Sequence, residues 1–205
     1  MTPRRLCTAL LLLFGWIAPL HAAPVQGYGP WRFGMKHDEV LAIEAHGPYT
    51  PVHSTGGLET KNGPFRGETR PISFAFTTAG LAHIQIWAYQ GNDFEQAVKE
   101  LHGVYRYLVE TFGPVGREGE AWPADLTLDA LKSRIPPEFR KGGSSPSTFV
   151  DKLQTQGSAR VDFQKLHLHP QQPVEGAEVS GSLIYAPKMT GYWVFLYYKL
   201  PPQGR

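Results

Sequence analysis

A chain of 205 residues, 41% of them apolar, is long enough to bury one hydrophobic core. Its 20 Lys and Arg against 18 Asp and Glu give a formal net charge of only +2, which argues against a nucleic-acid binder that works by bulk positive charge. A single cysteine, Cys7, excludes an intramolecular disulfide framework and a thiolate metal cluster.

Residues 1–22 read as a secretory signal peptide. Arg4 and Arg5 form a basic start, residues 6–20 are apolar, and cleavage is expected after Ala22. The alternative is a retained N-terminal anchor. Cys7 lies before the apolar run and so is not a lipobox cysteine. Removing the segment removes Arg4 and Arg5 and leaves 18 charges of each sign, so neither nucleic acid nor an anionic membrane is favoured as a partner. Export without disulfides points to a periplasmic or secreted protein of a Gram-negative bacterium. Residues 23–205 are expected to form a single α+β domain.

In chain order, residues 24–30 are a Gly/Pro lead-in. Trp31, Phe33 and Met35 suggest a short opening strand. Residues 36–46 suggest a short helix with Val40 and Ile43 inward, ended by Gly47-Pro48. Residues 49–54 suit a strand. Residues 55–70 are rich in Gly and mixed charge and are expected to be a solvated loop, with a turn at Asn62-Gly63.

The clearest periodicity lies in residues 70–113. Ile72, Phe74 and Phe76 alternate with small or polar residues, and Ala82, Ile84, Ile86 and Ala88 do the same, as in a half-buried hairpin. A three-residue loop 78–80 with Gly80 in the left-handed region would bring Phe76 opposite Ala82, Phe74 opposite Ile84 and Ile72 opposite Ile86. A long helix over 93–112 follows, capped by Asn92 or Asp93. Its stripe Phe94, Ala97, Val98, Leu101, Val104, Tyr105, Leu108, Val109 and Phe112 is expected to pack on the Phe74/Ile84 face.

Beyond it, residues 116–124 read as turns containing Trp122, and residues 127–135 as a third helix. The run KGGSSPS at 141–147 reads as a surface loop. Residues 148–156 suit a helix or a strand. Residues 160–169 suit a strand whose apolar parity changes from Val161 and Phe163 to Leu166 and Leu168, implying a bulge near Gln164-Lys165. Residues 179–185 and 192–200 suit a hairpin, and the second strand, apolar on both faces, is expected inside a larger antiparallel sheet. The fold class is therefore α+β: an antiparallel sheet, one long helix on one face, and two shorter helices.

Phe33-Gly34-Met35, Glu39-Val40 and Gly47-Pro48 together resemble the start of the SmpA/OmlA-type outer-membrane assembly lipoprotein modules, to which the β-lactamase-inhibitor proteins are similar in plan. The resemblance covers residues 31–90. It implies a small α+β, non-catalytic, protein-binding module of the envelope. The chain departs from that pattern in having no lipobox, an added long helix and a C-terminal sheet.

The chain holds no HExxH, CxxC, G-x-S-x-G, P-loop or GxGxxG pattern, so no cofactor and no catalytic residue is assigned. The candidate binding residues are His83, Gln85, Trp87 and Tyr89, on the hairpin face turned away from the helix, with residues 55–70 as a rim. For a metal, the strongest pair is His167 and His169, whose H-x-H spacing points two imidazoles to one side of a strand. A third ligand would have to come from Asp162, His83 or Glu178. Three functions remain open: a non-enzymatic periplasmic module that binds another envelope protein, an envelope hydrolase with a dispersed site, and a His-based metal binder. The first leads.

Overall fold

The computed structural model describes residues 24–117, 119–141, 163–186 and 191–201. In chain order the elements are β1 (Gly27–Tyr28), β2 (Trp31–Arg32), α1 (His37–Leu41), β3 (Tyr49–Val52), β4 (Gly57–Phe65), β5 (Glu68–Thr77), β6 (Gly80–Gly91), α2 (Phe94–Phe112), β7 (Val115–Arg117), β8 (Glu120–Ala121), α3 (Leu128–Arg134), β9 (Gln164–Pro170), β10 (Glu178–Ala186) and β11 (Gly191–Lys199). The strands β3-β4-β5-β6-β11-β10-β9-β7-β8 form one nine-stranded antiparallel sheet, and β1-β2 a separate small ribbon. The architecture is α+β with the sheet dominant. Among the described residues no helix is long and apolar enough to cross a membrane.

The long helix follows its sequence signals. The Asp93 carboxylate accepts from the Gln96 N–H at 3.1 Å, and the helix stops at Gly113, φ +82°, before Pro114. Ala97, Val98, Leu101, Val104, Tyr105 and Leu108 are buried. Their stripe lies against β6, β10 and β11. Gly181 on β10 lets the helix approach closely: a Cβ there would stand 2.7 Å from Val104 Cγ1. The helix therefore covers the middle of the sheet. Phe74, expected beneath it, is covered from the N-terminal segment instead, by Trp31 at 5.0 Å and Tyr49 at 6.1 Å between ring centroids.

The β5–β6 hairpin keeps the expected core register, with Ile72 opposite Ile86 and Phe74 opposite Ile84. Its turn differs. Thr77 pairs with Gly80 and Phe76 with Leu81, so Thr78-Ala79 alone make the turn, and a bulge at Ala82 restores the register. The cause is long-range. The Gly34 N–H donates to the Leu81 carbonyl and the Leu81 N–H to the Met35 carbonyl, both at 2.8 Å. A Cβ at Gly80, φ +114°, would collide with the Gly34 carbonyl.

Other expectations are corrected. Residues 55–70 are not a loop: they form β4 and the start of β5, joined by the tight turn Arg66-Gly67 with φ of +52° and +81°. Asn62-Gly63 lies within β4, where the register against β5 shifts, and is not the turn. The polar run hid a strand because its inward positions are Leu58, Thr60, Gly63 and Phe65, which change parity at that shift. The opening strand shrinks to Trp31–Arg32. The helix expected over 36–46 splits into α1 and a short 3-10 turn at Glu44–His46. Residues 115–121 contain the small β7–β8 hairpin.

β9 needs no bulge between Gln164 and Pro170: its ladder to β10 runs unbroken from Gln164–Tyr185 to Leu168–Gly181, with Leu166 and Leu168 in the core. β11 is central, between β6 and β10, as its two apolar faces predict. The expected signal, most of the loop 141–147, and residues 148–156 lie outside the described residues.

Candidate functional site

The sheet is not uniform along β6. The ladder between β5 and β6 ends at Ile72–Ile86, yet β6 continues from Trp87 to Gly91 paired to β11 alone. Pro71, which has no N–H to give a ladder, stands at the parting. From there the β4–β5 arm bends toward the helix. Phe65 meets Tyr107 edge-on at 5.5 Å, and Arg70 reaches Glu100 at 3.2 Å. A cleft of about 880 Å³ opens between arm and strand, lined by Thr50, Glu59, Lys61 and Arg70 on one side and Trp87 and Gln90 on the other.

Trp87 separates this cleft from a second, smaller hollow on the sheet face away from α2. That hollow has a volume of about 220 Å³ and is walled by Trp87, Phe163, Ile184, Trp193, Phe195 and Tyr197, with Lys165 at its margin. Trp87 is fixed from both sides. Its indole N–H donates to Ser73 Oγ at 2.7 Å, and Ser73 in turn donates to Glu59 Oε1 at 2.8 Å. Its ring meets Phe195 edge-on, 4.7 Å between centroids at 80°. Phe195 lies opposite Ser182, and Ser182 opposite His167. Glu59 and Ser73, opposite each other on β4 and β5, thus join diagonally, through the Trp87 indole, to the row Trp87, Phe195, Ser182 and His167, and the line of side chains crosses six strands. Aromatic rings occupy its centre and polar groups its two ends.

The structure divides the four expected binding residues. Trp87 is central. His83 stacks on Tyr197 at 5.4 Å, and Gln85 lies half-buried between Ser73 and Tyr197, so both belong to the outer face but to rows beyond Trp87. Tyr89 borders the cleft beside Trp87 and Gln90 but does not share that outer face. The β6–β11 register shifts at Ala88, which sets Tyr89 opposite Val194, and the Tyr89 ring packs with the helix-side core while its hydroxyl accepts from the Asp93 N–H at 3.1 Å. Alternation alone predicts the opposite side, because it assumes an unbroken ladder. Glu59 and Lys61 fall within residues 55–70, the expected rim, whereas sequence reasoning missed Ile184, Trp193, Phe195 and Tyr197 as site residues. The two-sided apolarity of residues 193–197 was the available signal, but alone it marks only a central strand.

The histidine pair does not gather a metal set. His167 and His169 stack at 5.9 Å, and His167 Nδ1 shares a 2.7 Å hydrogen bond with Ser182 Oγ. His83 is committed to Tyr197, and Glu178 pairs with Lys199 at 3.3 Å. Asp162 lies outside the described residues. Among the described residues no three His, Cys, Asp or Glu side chains converge. Ser182 is 0% exposed, so its bond to His167 satisfies a buried hydroxyl and presents no accessible nucleophile.

Two histidines on this face give it a pH signature. Burial, reinforced by Lys199, holds His83 below the ordinary histidine range. Burial, then His169 and Lys165, does the same to His167. A depressed folded-state value means that the unfolded chain takes up the proton first. The stability these neutral rings contribute is therefore present above the unfolded value of about 6.5 and is lost as pH falls through the lower folded values. Melting temperature should be level above neutrality and drop below it, and the double variant His83→Gln, His167→Gln should flatten that drop. A slope below the unfolded value of about 6.5 that is identical in both proteins would contradict this assignment.

Comparison with protein-family models, with curated proteins and with solved structures gives no match.

Proposed function

We propose that this protein is a non-enzymatic binding module of the bacterial envelope that takes an extended polypeptide segment of another envelope protein into the cleft as a strand added to β6. The observation that carries this reading is the stretch Trp87 to Gly91, a strand edge without a β5 neighbour along the wall of an open cleft. An unpaired edge offers main-chain donors and acceptors to an incoming strand, and nearby pockets then select its side chains. The volume of the cleft alone would also suit a small molecule; the strand edge favours a polypeptide. The neighbouring hollow of about 220 Å³ lies below the roughly 300–1,000 Å³ of ordinary small-molecule pockets and suits a single apolar side chain. Its walls are the Trp and Tyr that anchor interfaces elsewhere. Export rests on the pattern of residues 1–22, and the resemblance of residues 31–90 to envelope modules points the same way.

The test is selection of phage-displayed peptides on the immobilised protein, followed by N-methylation of each peptide bond in a selected sequence. Added-strand binding predicts that methylation at alternate positions abolishes affinity and at the intervening ones leaves it intact. It also predicts that Ile184→Asp, which places a charge in the hollow, weakens the same peptides. Peptides that tolerate methylation throughout, or a library that yields no binders, would overturn the proposal.

A further inference from the structure

A second site lies on the other side of the arm, where the Arg66-Gly67 turn crosses α2. A cavity of about 270 Å³ there is lined by Arg66, Arg70, Lys99 and Arg106 together with Glu68 and Glu100. The two acids are already engaged. Glu68 and Glu100 both pair with Arg70, at 2.6 and 3.2 Å, and the other oxygen of Glu100 accepts from Gln96 at 2.8 Å. Arg106 is held by Glu110 at 3.0 Å. Arg66 and Lys99 have no carboxylate partner among the described residues. The Arg66 guanidinium lies 6.0 Å from the Phe65 ring centroid.

Two unfavourable local choices hold the Arg66 guanidinium in place. A turn with two positive φ values favours Asn-Gly, yet Arg66 occupies its first central position at φ +52°, the one non-glycine with positive φ among the described residues. That conformation is disfavoured for an arginine, whose Cβ crowds the following carbonyl. Gly103 interrupts the interior of α2, where glycine is less favourable than alanine. A Cβ at Gly103 would overlap the Arg66 guanidinium. The turn and the helix thus each give up stability at the one point where this cation crosses the helix, over Gly103, with Lys99 one turn before it and Arg106 one turn after. Strain of this kind, concentrated at one cationic group beside a cavity, is the mark of a functional constraint.

We propose that Arg66 and Lys99 form an oxyanion site for a phosphate group, set on α2 on the far side of Arg70, the one residue that borders both this cavity and the β6 cleft. A guanidinium presents paired donors to two phosphate oxygens, and the ammonium adds a point charge. The four cations face the three carboxylates of Glu68, Glu100 and Glu110, a surplus of one positive charge, and Coulomb attraction to it is greater for a dianion than for chloride.

The experiment is a thermal melt of the full chain in inorganic phosphate against sodium chloride at matched ionic strength, for the native protein, Arg66→Asn and Lys99→Gln. Native protein should gain melting temperature in phosphate beyond its gain in chloride. Arg66→Asn, a better residue for the turn, should melt at or above the native protein in chloride and lose the phosphate increment, with phosphate affinity by titration down about tenfold or more. Lys99→Gln should lose a smaller part. Sedimentation with phosphatidylglycerol vesicles distinguishes the source: Arg66-dependent binding that inorganic phosphate displaces marks a lipid headgroup, and phosphate binding without vesicle binding marks a free phosphate compound. A phosphate gain no larger than that in chloride, an equal gain in Arg66→Asn, or an Arg66→Asn protein that melts below the native one would each overturn the proposal.

Discussion

Leu101→Ala should lower the stability of the protein by about 2–5 kcal/mol, the range measured for large-to-small changes in closely packed cores. Leu101 is fully buried in the middle of α2, and the helix covers β6, β10 and β11, the strands that hold the two halves of the sheet together. A cavity there cannot close by a side chain swinging in from solvent, because its neighbours Val98, Val104, Tyr105 and Leu108 are themselves buried. Domains of this size have about 5–15 kcal/mol in total. In a chain of 150–250 residues each kcal/mol moves the melting temperature by about 2–4 °C. The drop should therefore be of order 10 °C, read by circular dichroism. A loss below about 1 kcal/mol would mean that α2 is not the lid of the core.

Trp87→Ala should act on the opposite quantity. The variant loses one edge-on aromatic contact with Phe195 and one hydrogen bond to Ser73, while the Ser73–Glu59 bond survives. Those two contacts contribute together about 1–3 kcal/mol. Trp87 is only half-buried, so no sealed cavity follows. Affinity for a selected peptide should fall more than about 20-fold, the loss of a hot-spot aromatic worth 2 kcal/mol or more. Trp87→Phe should recover part of it, since a ring that can meet Phe195 remains while the donor to Ser73 is lost. Equal affinities in Trp87→Ala and native protein would remove Trp87 from the site.

The parts of the fold that local chemistry determines were legible before any coordinates. Asp93 and Gly113-Pro114 bound α2, and period-two alternation pairs Phe74 with Ile84. The two-sided apolarity of residues 193–198 places β11 at the sheet centre. What failed to show depends on contacts distant in sequence. The β5–β6 turn is reshaped by Gly34 and Met35, some forty-five residues away along the chain, whose backbone pairs with Leu81. β4 is polar outside and carries Thr60 and Gly63 inside, so a ladder rather than apolar burial makes it a strand.

The candidate site was legible in the same partial way. Trp87 stood out as a large aromatic on the uncommitted face, and that placement holds. Tyr89 was assigned to the same face by parity, and one extra residue, Ala88, reverses it. The cleft itself had no local signal. It exists because two strands continuous in sequence stop pairing at Ile72–Ile86. Nothing in either strand's own periodicity marks where a neighbour will leave. Pro71 is the nearest hint, and its meaning depends on knowing which strand it borders.

Together these placements describe a sheet whose helix side holds the protein together and whose outer face and splayed edge are, in the proposed function, where a partner binds. Melting temperature and affinity for one selected peptide, both measured on Leu101→Ala and Trp87→Ala, test that division most directly. The account predicts that Leu101→Ala loses about 2–5 kcal/mol of stability yet binds the peptide with native affinity wherever it is folded. It predicts that Trp87→Ala stays within about 3 kcal/mol of native stability and loses affinity more than about 20-fold. A Trp87→Ala protein that unfolds as readily as Leu101→Ala, or that keeps its affinity, would contradict it.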